Sequence, residues 1–330
     1  MFGKGPEAEA HWRVCLRLAG VVPAAVCAPM PMGAPALASS YACTAACDRC
    51  ATLLAGTAPD VIDIAGTLPD ACPVSLSVLA RTGLPLLCAR MSGETVAAAD
   101  RIIRAVTRGR GRVCLTQSLR FHPAMARLYE FATSGALGTV RRVEVKRAAV
   151  SAEVDPETCG EAAAAEELWA DLQHRDIDLC NWFLGCPRAV SVHSGGRGGS
   201  EWVASRIVIR YADGGEAWIE TGPGSPVGAL ERTVTVHGDL GAGVCQFRTL
   251  SAVAAVPDDV RFIEIRTADG ARRLRVPSVA PLRLELGYLA GALVRGGICH
   301  GVDLVQGRTA LAVREAARIA MAGGDPVPIP

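Results

Sequence analysis

Asp171, His174 and Asp178 stand at positions i, i+3 and i+7 of the run Glu167–Leu184, which reads as a helix. That spacing puts them on nearly one face. Imidazole changes charge near neutrality, and a neighbouring carboxylate fixes its tautomer and raises its basicity. The chemistry this offers is proton transfer, with His174 as the carrier and the two aspartates orienting it. The plainer reading is a helix-surface histidine, with Asp171 and Arg175 at i and i+4 forming only an ion pair. Arg90 lies just beyond the apolar run Leu84–Cys88. It cannot serve as a base, since guanidinium stays protonated at any working pH. It can anchor an anionic ligand group, or simply be solvated at a strand end.

Two other patterns bear on chemistry. Gly3-x-Gly5-x-x-Ala8 has the spacing of a turn that brings backbone N–H groups against a pyrophosphate at a helix start. With 35 glycines in 330 residues, that match is not specific by itself. Only Met1 and Phe2 precede it, so the strand expected before such a turn is read as missing or truncated by a start placed too late. Cys43, Cys47 and Cys50 have a C-x3-C-x2-C spacing that can hold three irons of a cubane cluster. Arg49 stands where an aromatic usually precedes the last cysteine, and no fourth zinc ligand is at hand. Asp48 reads instead as the N-cap of a helix over Arg49–Ala55. No metal is expected.

Length and composition bound the rest. A chain of 330 residues suggests two domains of roughly 100–200 residues each. A net charge of +1, with no long basic run, argues against nucleic acid and anionic membranes as partners. No charge falls between Arg17 and Asp48, but Pro23, Pro29, Pro31 and Pro35 break the stretch. A spanning helix needs about 20 mostly uninterrupted apolar residues. Ala36-Leu37-Ala38 resembles a cleavage site, yet Glu7 and Glu9 spoil the basic start of a signal peptide. A buried strand over Val21–Cys27, then a loop and a short helix, is expected. The 13 cysteines are odd in number, and most sit in apolar segments, as Cys15, Cys27, Cys88, Cys114 and Cys180 do. That fits a reducing, cytoplasmic location rather than a disulfide framework.

The elements follow from periodicity. A helix over Pro6–Ala19 puts Ala8, Trp12, Cys15 and Ala19 on one face. Short apolar strands at Val22–Cys27, Val61–Ala65, Leu84–Cys88 and Arg112–Thr116 alternate with helices at Pro73–Arg81 and Glu94–Thr107. This predicts a Rossmann-like, doubly wound parallel sheet over residues 1–118. Residues 119–330 change character, predicting an α+β domain with a large open, mostly antiparallel sheet. Strands are expected at Thr139–Ala149, Ala189–His193, Val203–Tyr211, Glu216–Glu220, Thr233–His237, Val260–Arg266 and Ala271–Val276. Helices are expected at Leu282–Val294 and Val302–Ala322, the last with Val305, Thr309, Ala312, Ala316 and Ile319 on one face.

Ordered matches run along nearly the whole chain: Gly3-x-Gly5-x-x-Ala8 with His11, Ala25-Val26-Cys27, Ile62-Asp63-Ile64-Ala65, Arg120-Phe121-His122-Pro123, Gly135 to Val140, Asp176-Ile177-Asp178-Leu179 with Trp182 and Leu184-Gly185, and Ala316 to Pro328. Together they resemble the Gfo/Idh/MocA family of NAD(P)-dependent sugar and inositol oxidoreductases. The resemblance implies NAD or NADP as cofactor, held near Gly3, Gly5, Ala8, Ala28, Gly66 and Thr67. It implies hydride transfer on a sugar, cyclitol or related small polyol, with Arg90, Arg120 and Arg175 toward the substrate. It also implies a homodimer or homotetramer joined through the second-domain sheet.

The departures fall on functional positions. Ala28 replaces the acid that holds the ribose hydroxyls, and Gly66-Thr67 replaces Thr-Pro. Cys72 replaces a histidine. Ala89-Arg90-Met91 replaces Glu-Lys-Pro, and Arg175 replaces the helix histidine, with His174 beside it. Two functions therefore stay open: a divergent oxidoreductase with weak cofactor affinity, or a non-redox pseudoenzyme or binding scaffold of the same fold.

Overall fold

A computed structural model describes residues 6–27, 45–47, 56, 58–65, 83–89, 95–109, 112–149, 174–194, 205–223, 230–249, 260, 262–295, 302–323 and 325–330. The chain divides into two compact units. One is Met1–Ser118 with Leu282–Arg308, and the other is Leu119–Pro281 with Thr309–Pro330. The expected helix Pro73–Arg81 lies outside the described residues, as does all but Cys47 of the cysteine cluster.

In the first unit, α1 (Pro6–Cys15) is followed by short strands β1 (Ala25–Cys27) and β2 (Ala45–Cys47), which pair in parallel. Strand β2 adds to the elements expected from periodicity. Strands β3 (Ile62–Ile64), β4 (Pro85–Cys88) and β5 (Arg112–Leu115) form a second parallel set in that order. Ile62, Ile64, Leu86, Cys88 and Leu115 are buried, as near-continuous apolar runs in a covered parallel sheet must be. Helix α2 (Val96–Gly109) buries Ala98, Ala99, Ile102 and Val106, and Thr95 Oγ1 accepts the Ala98 N–H at 3.2 Å as its cap. Helix α3 (Ser118–Phe121) begins where the buried Glu285 accepts from the Gln117 N–H and, at 2.6 Å, from Ser118 Oγ. Glu285 belongs to α6 (Pro281–Val294), whose Leu286 and Leu289 pack on Leu87 and Cys114. That packing is why Leu282–Arg308 clusters with the first unit although the sequence division 1–118 and 119–330 places it in the second.

The second unit holds α4 (Pro123–Thr133), β6 (Val140–Ala149), a helix α5 over residues 174–184, and strands β7 (Pro187–Ser194), β8 (Ser205–Tyr211), β9 (Glu216–Pro223), β10 (Leu230–Gly238), β11 (Gly241–Thr249), β12 (Phe262–Thr267) and β13 (Gly270–Arg275). Helix α7 (Leu304–Gly323) and β14 (Val327–Pro328) close the chain. The nine strands are ordered β13-β12-β11-β10-β6-β9-β8-β7-β14. Every neighbouring pair is antiparallel except β6 with β9. Val143, Val145, Ile207, Ile209, Ile219, Val234 and Val236 bury one face of the sheet in a single core with Met125 and Leu128 of α4 and Ile177 and Leu179 of α5.

Three expectations change. Strand β11 was not read from the sequence, because Gly241 and Gly243 blank its alternation. A Cβ at Gly243 would collide with Leu128, so glycine lets the strand approach α4. The last helix starts at Leu304 rather than Val302. Val302 bridges to Leu115, and Asp303 caps the helix: its Oδ1 accepts the Gln306 N–H at 2.7 Å while Gln306 Oε1 accepts the Asp303 N–H at 3.4 Å. The buried face of α7 keeps Ala312 and Ala316 of the predicted one but is rotated relative to it. Ala312, Val313, Ala316 and Ala320 are buried, whereas Val305 and Ile319 are exposed.

Candidate functional site

The polar centre of the second unit is built on α5. His174, Arg175, Asp176 and Asp178 are all buried, and the helix shows no solvent face over 174–180. Charged groups are rarely placed so unless they are paired. Asp178 receives Arg120 as a fork, Nε to Oδ2 at 2.9 Å and Nη2 to Oδ1 at 2.7 Å. Both its oxygens are therefore engaged by Arg120, the geometry guanidinium suits best. The Arg120 guanidinium also lies 5.7 Å from the Trp182 ring centroid, and Trp182 stacks on Tyr129 at 4.0 Å. Arg120, expected to face substrate, is thus part of the clamp that locates α5.

Asp176 joins two arginines. Arg147 Nη2 donates to Oδ2 at 2.5 Å, and Arg232 Nη2 lies 3.2 Å from Oδ1. All three side chains are at most 4% exposed. Arg147 and Arg232 are direct cross-strand partners on β6 and β10. The motif around Asp176 by itself assigns neither it nor the two arginines a role. A signal was present: Arg147 continues the inward series Val143, Val145, and Arg232 precedes the inward Val234, Val236. An arginine at a core position of an alternating strand announces a buried partner.

His122 is a packing and capping residue. Its Nδ1 accepts the Ala124 N–H at 3.1 Å at the start of α4, and its ring meets Phe247 edge-on at 5.0 Å. Tyr211, on β8, donates to Asn181 Oδ1 of α5 at 2.8 Å. Of the other predicted residues, Arg90 and Asp171 lie outside the described residues.

In the first unit only Ala8 of the predicted cofactor set is described; Gly3, Gly5, Ala28, Gly66 and Thr67 are not. Ala8 is buried in a cluster with Ala65 and Ala89, just past the ends of β3 and β4. Ala89 N–H donates to Ile64 O at 2.8 Å. Such close packing of helix and strand ends is the task of the third small residue of a dinucleotide turn.

One turn further along α1, His11 Nδ1 lies 3.0 Å from Asp63 Oδ2. Burial alone pulls the imidazole down. The Asp63 carboxylate, aided by Glu7 and Glu285, outweighs that and sets its pKa above the ordinary histidine value. The stabilisation from this pair is full below the unfolded value of about 6.5 and is lost as pH rises through the folded one. Urea midpoints of wild type and His11→Gln should therefore differ most at acidic pH and converge on the alkaline side. A gap that widens with pH would mean that the imidazole is buried neutral. Nearby Cys15 is pushed up to about 12, first by burial and then by Asp63. Exposed Cys186 should thus alkylate well before Cys15, as mass spectrometry of a timed iodoacetamide reaction would report.

No family model matches the chain, and no curated protein does. Solved structures do. An oxidoreductase from Agrobacterium radiobacter, in complex with NAD+, L-tartaric acid and magnesium, is 15% identical with a TM-score of 0.79, over 99% of this chain and 97% of that one. The chain has the fold of the Gfo/Idh/MocA-type oxidoreductases. Levoglucosan dehydrogenase in complex with NADH and levoglucosan is 16% identical with a TM-score of 0.78, over 100% and 98% of the two chains. An oxidoreductase domain protein from Kribbella flavida is 17% identical with a TM-score of 0.76, over 100% and 98%. The Gfo/Idh/MocA-type fold thus extends over both units of the chain. Among the described residues no helix is long and apolar enough to cross a membrane.

Proposed function

We propose that this chain is a nicotinamide-dependent oxidoreductase that moves hydride between NAD or NADP and a small polyol, a sugar or cyclitol or a relative of one. The observation that carries the reading is His174, buried on a helix that Arg120 clamps through Asp178. The fold supports it, as do structural neighbours solved with NAD+ or NADH. The packing of Ala8 against Ala65 and Ala89 fits a dinucleotide turn, whose Gly3 and Gly5 N–H groups would hold the pyrophosphate. When bound, the nicotinamide supplies the hydride acceptor. The chain's own task is the proton. His174 takes it from the substrate hydroxyl as the alcohol is oxidised and returns it in the reverse direction. Arg175 stays charged and orients an electronegative substrate group.

The test is a fluorescence titration with NADH and NADPH, followed by turnover with a panel of polyols. Without an acid at Ala28, the ribose 2′-hydroxyl lacks its usual acceptor, so affinity should be weak and discrimination between the two cofactors poor. Sub-micromolar binding with strong preference would show that another residue holds the ribose. The open face of the sheet, with Arg142, Glu144 and Lys146 on β6 and Trp218 between Arg142 and Arg206, is the surface through which a homodimer or homotetramer should form. Light scattering giving a monomer mass at micromolar concentration would count against that assembly.

A further inference from the structure

Helix α2 carries a feature that the oxidoreductase reading does not use. Its inner row is Ala98, Ala99, Ile102 and Val106. Its outer face presents Arg101, Arg104 and Arg108, all exposed, at i, i+3 and i+7. At a rise of 1.5 Å per residue the three span about 10 Å of one helix face. Together with Ala105 and Gly109 they line an open cleft of about 420 Å³.

The charge in this cleft is one-signed. Its described lining contains no carboxylate, and none of the three arginines closes an ion pair within 4 Å among the described residues. Asp100, the sole acid of α2, is held by Arg308, Nε to Oδ1 at 2.6 Å and Nη2 to Oδ2 at 3.3 Å. Asp100 also feels the Arg104 charge one turn away, but no further acidic residue follows it before Glu130. Like charges at i, i+3 and i+7 destabilise a helix slightly, so the row is a cost to α2 on its own.

We propose that the outer face of α2 is a binding site for a small anion carrying two or more phosphate groups. Guanidinium forks take phosphate oxygens two at a time, and three forks in a row offer more donors than one carboxylate can accept. A small ligand fits better than a polymer. The three arginines occupy one helix face about 10 Å long, the length of a small polyanion. Each exposed contact is weak and screened by salt, so binding depends on all three acting together.

The test is calorimetric titration of the full chain with tripolyphosphate at low salt, against orthophosphate and acetate as single-charge-centre controls. Tripolyphosphate should bind, more tightly than either control, and should weaken as salt is raised. The double variant Arg104→Gln/Arg108→Gln should bind at least about tenfold more weakly, through loss of two charge-assisted forks. Arg283→Gln, an exposed arginine on α6, should bind as wild type does. All of these positions are exposed, so circular dichroism should not change and the melting temperature should not fall. No binding, or equal binding by the double variant, overturns the site. Equal loss in Arg283→Gln reduces it to general surface charge and also overturns it. Tighter binding of duplex DNA with the same arginine dependence would make the partner a polymer, and the proposal falls. The titration is repeated with saturating NADH. Unchanged tripolyphosphate binding supports a separate site, whereas full competition assigns the arginines to the cofactor and overturns it.

Discussion

Replacing His174 with alanine should abolish polyol oxidation while leaving cofactor and substrate binding nearly intact. Losing a positioned acid–base group costs about 10²–10⁴-fold in rate. The large effect is expected because the neighbouring positions cannot substitute. The family resemblance implies a histidine at position 175 and a lysine at position 90; the arginines there release no proton at working pH. His174→Gln serves as a control of similar size: the fold should persist and turnover should not. Arg175→His returns an imidazole to the helix, and Arg90→Lys returns an amine to the strand end. Each should raise activity or leave it unchanged. If wild type and His174→Ala turn over equally, the proton does not pass through His174. If wild type turns over no polyol with either cofactor, and neither reversion creates activity, the non-redox reading of the sequence becomes the better one.

The fold was legible because two periodicities dominate it. Apolar runs such as Leu84–Cys88 give parallel strands buried on both faces, and the alternation of Val140–Ala149 gives a strand buried on one. The elements that escaped are those whose identity is set by partners distant in sequence. Strand β11 hides behind Gly241 and Gly243, whose value is the space they leave for Arg266 and Leu128. The start of α7 is decided by a bridge to Leu115 at Val302 and the cap at the next residue, Asp303. Helix α6 belongs with the first unit because Leu286 and Leu289 find Leu87 and Cys114, about 170–200 residues earlier in the chain, and local pattern carries no trace of that. The site was read in the same way. Helical spacing put Asp178 on the face of His174, but Arg120, from a helix before β6, takes both of its oxygens. The alternation of each strand marks Arg147 and Arg232 as inward, but only the register of β6 and β10 sets them side by side on Asp176.

Asp176→Ala should be among the most destabilising single substitutions in the second unit. Its carboxylate is shared by two guanidinium groups that face each other across neighbouring strands, at 1% and 4% exposure. Removing it takes away the anion between two like charges in a region of low dielectric. Breaking a buried ion pair by deleting one partner costs about 3–5 kcal/mol, because the remaining charge stays desolvated. Against a total stability of about 5–15 kcal/mol for a typical domain, such a loss leaves the unit close to unfolding. The sharing makes the effect asymmetric. Arg232→Met removes one cation and still leaves Asp176 with Arg147, whose Nη2–Oδ2 contact is the shorter of the two. It fills the space with an apolar chain of related length and should cost far less. Urea unfolding of wild type, Asp176→Ala and Arg232→Met, followed by tryptophan fluorescence, measures the difference. Equal losses in the two variants would mean that Asp176 is not the shared counterion. Recovery of stability in the double variant Asp176→Ala/Arg232→Met, relative to Asp176→Ala alone, would locate the penalty in the two guanidinium groups left facing each other.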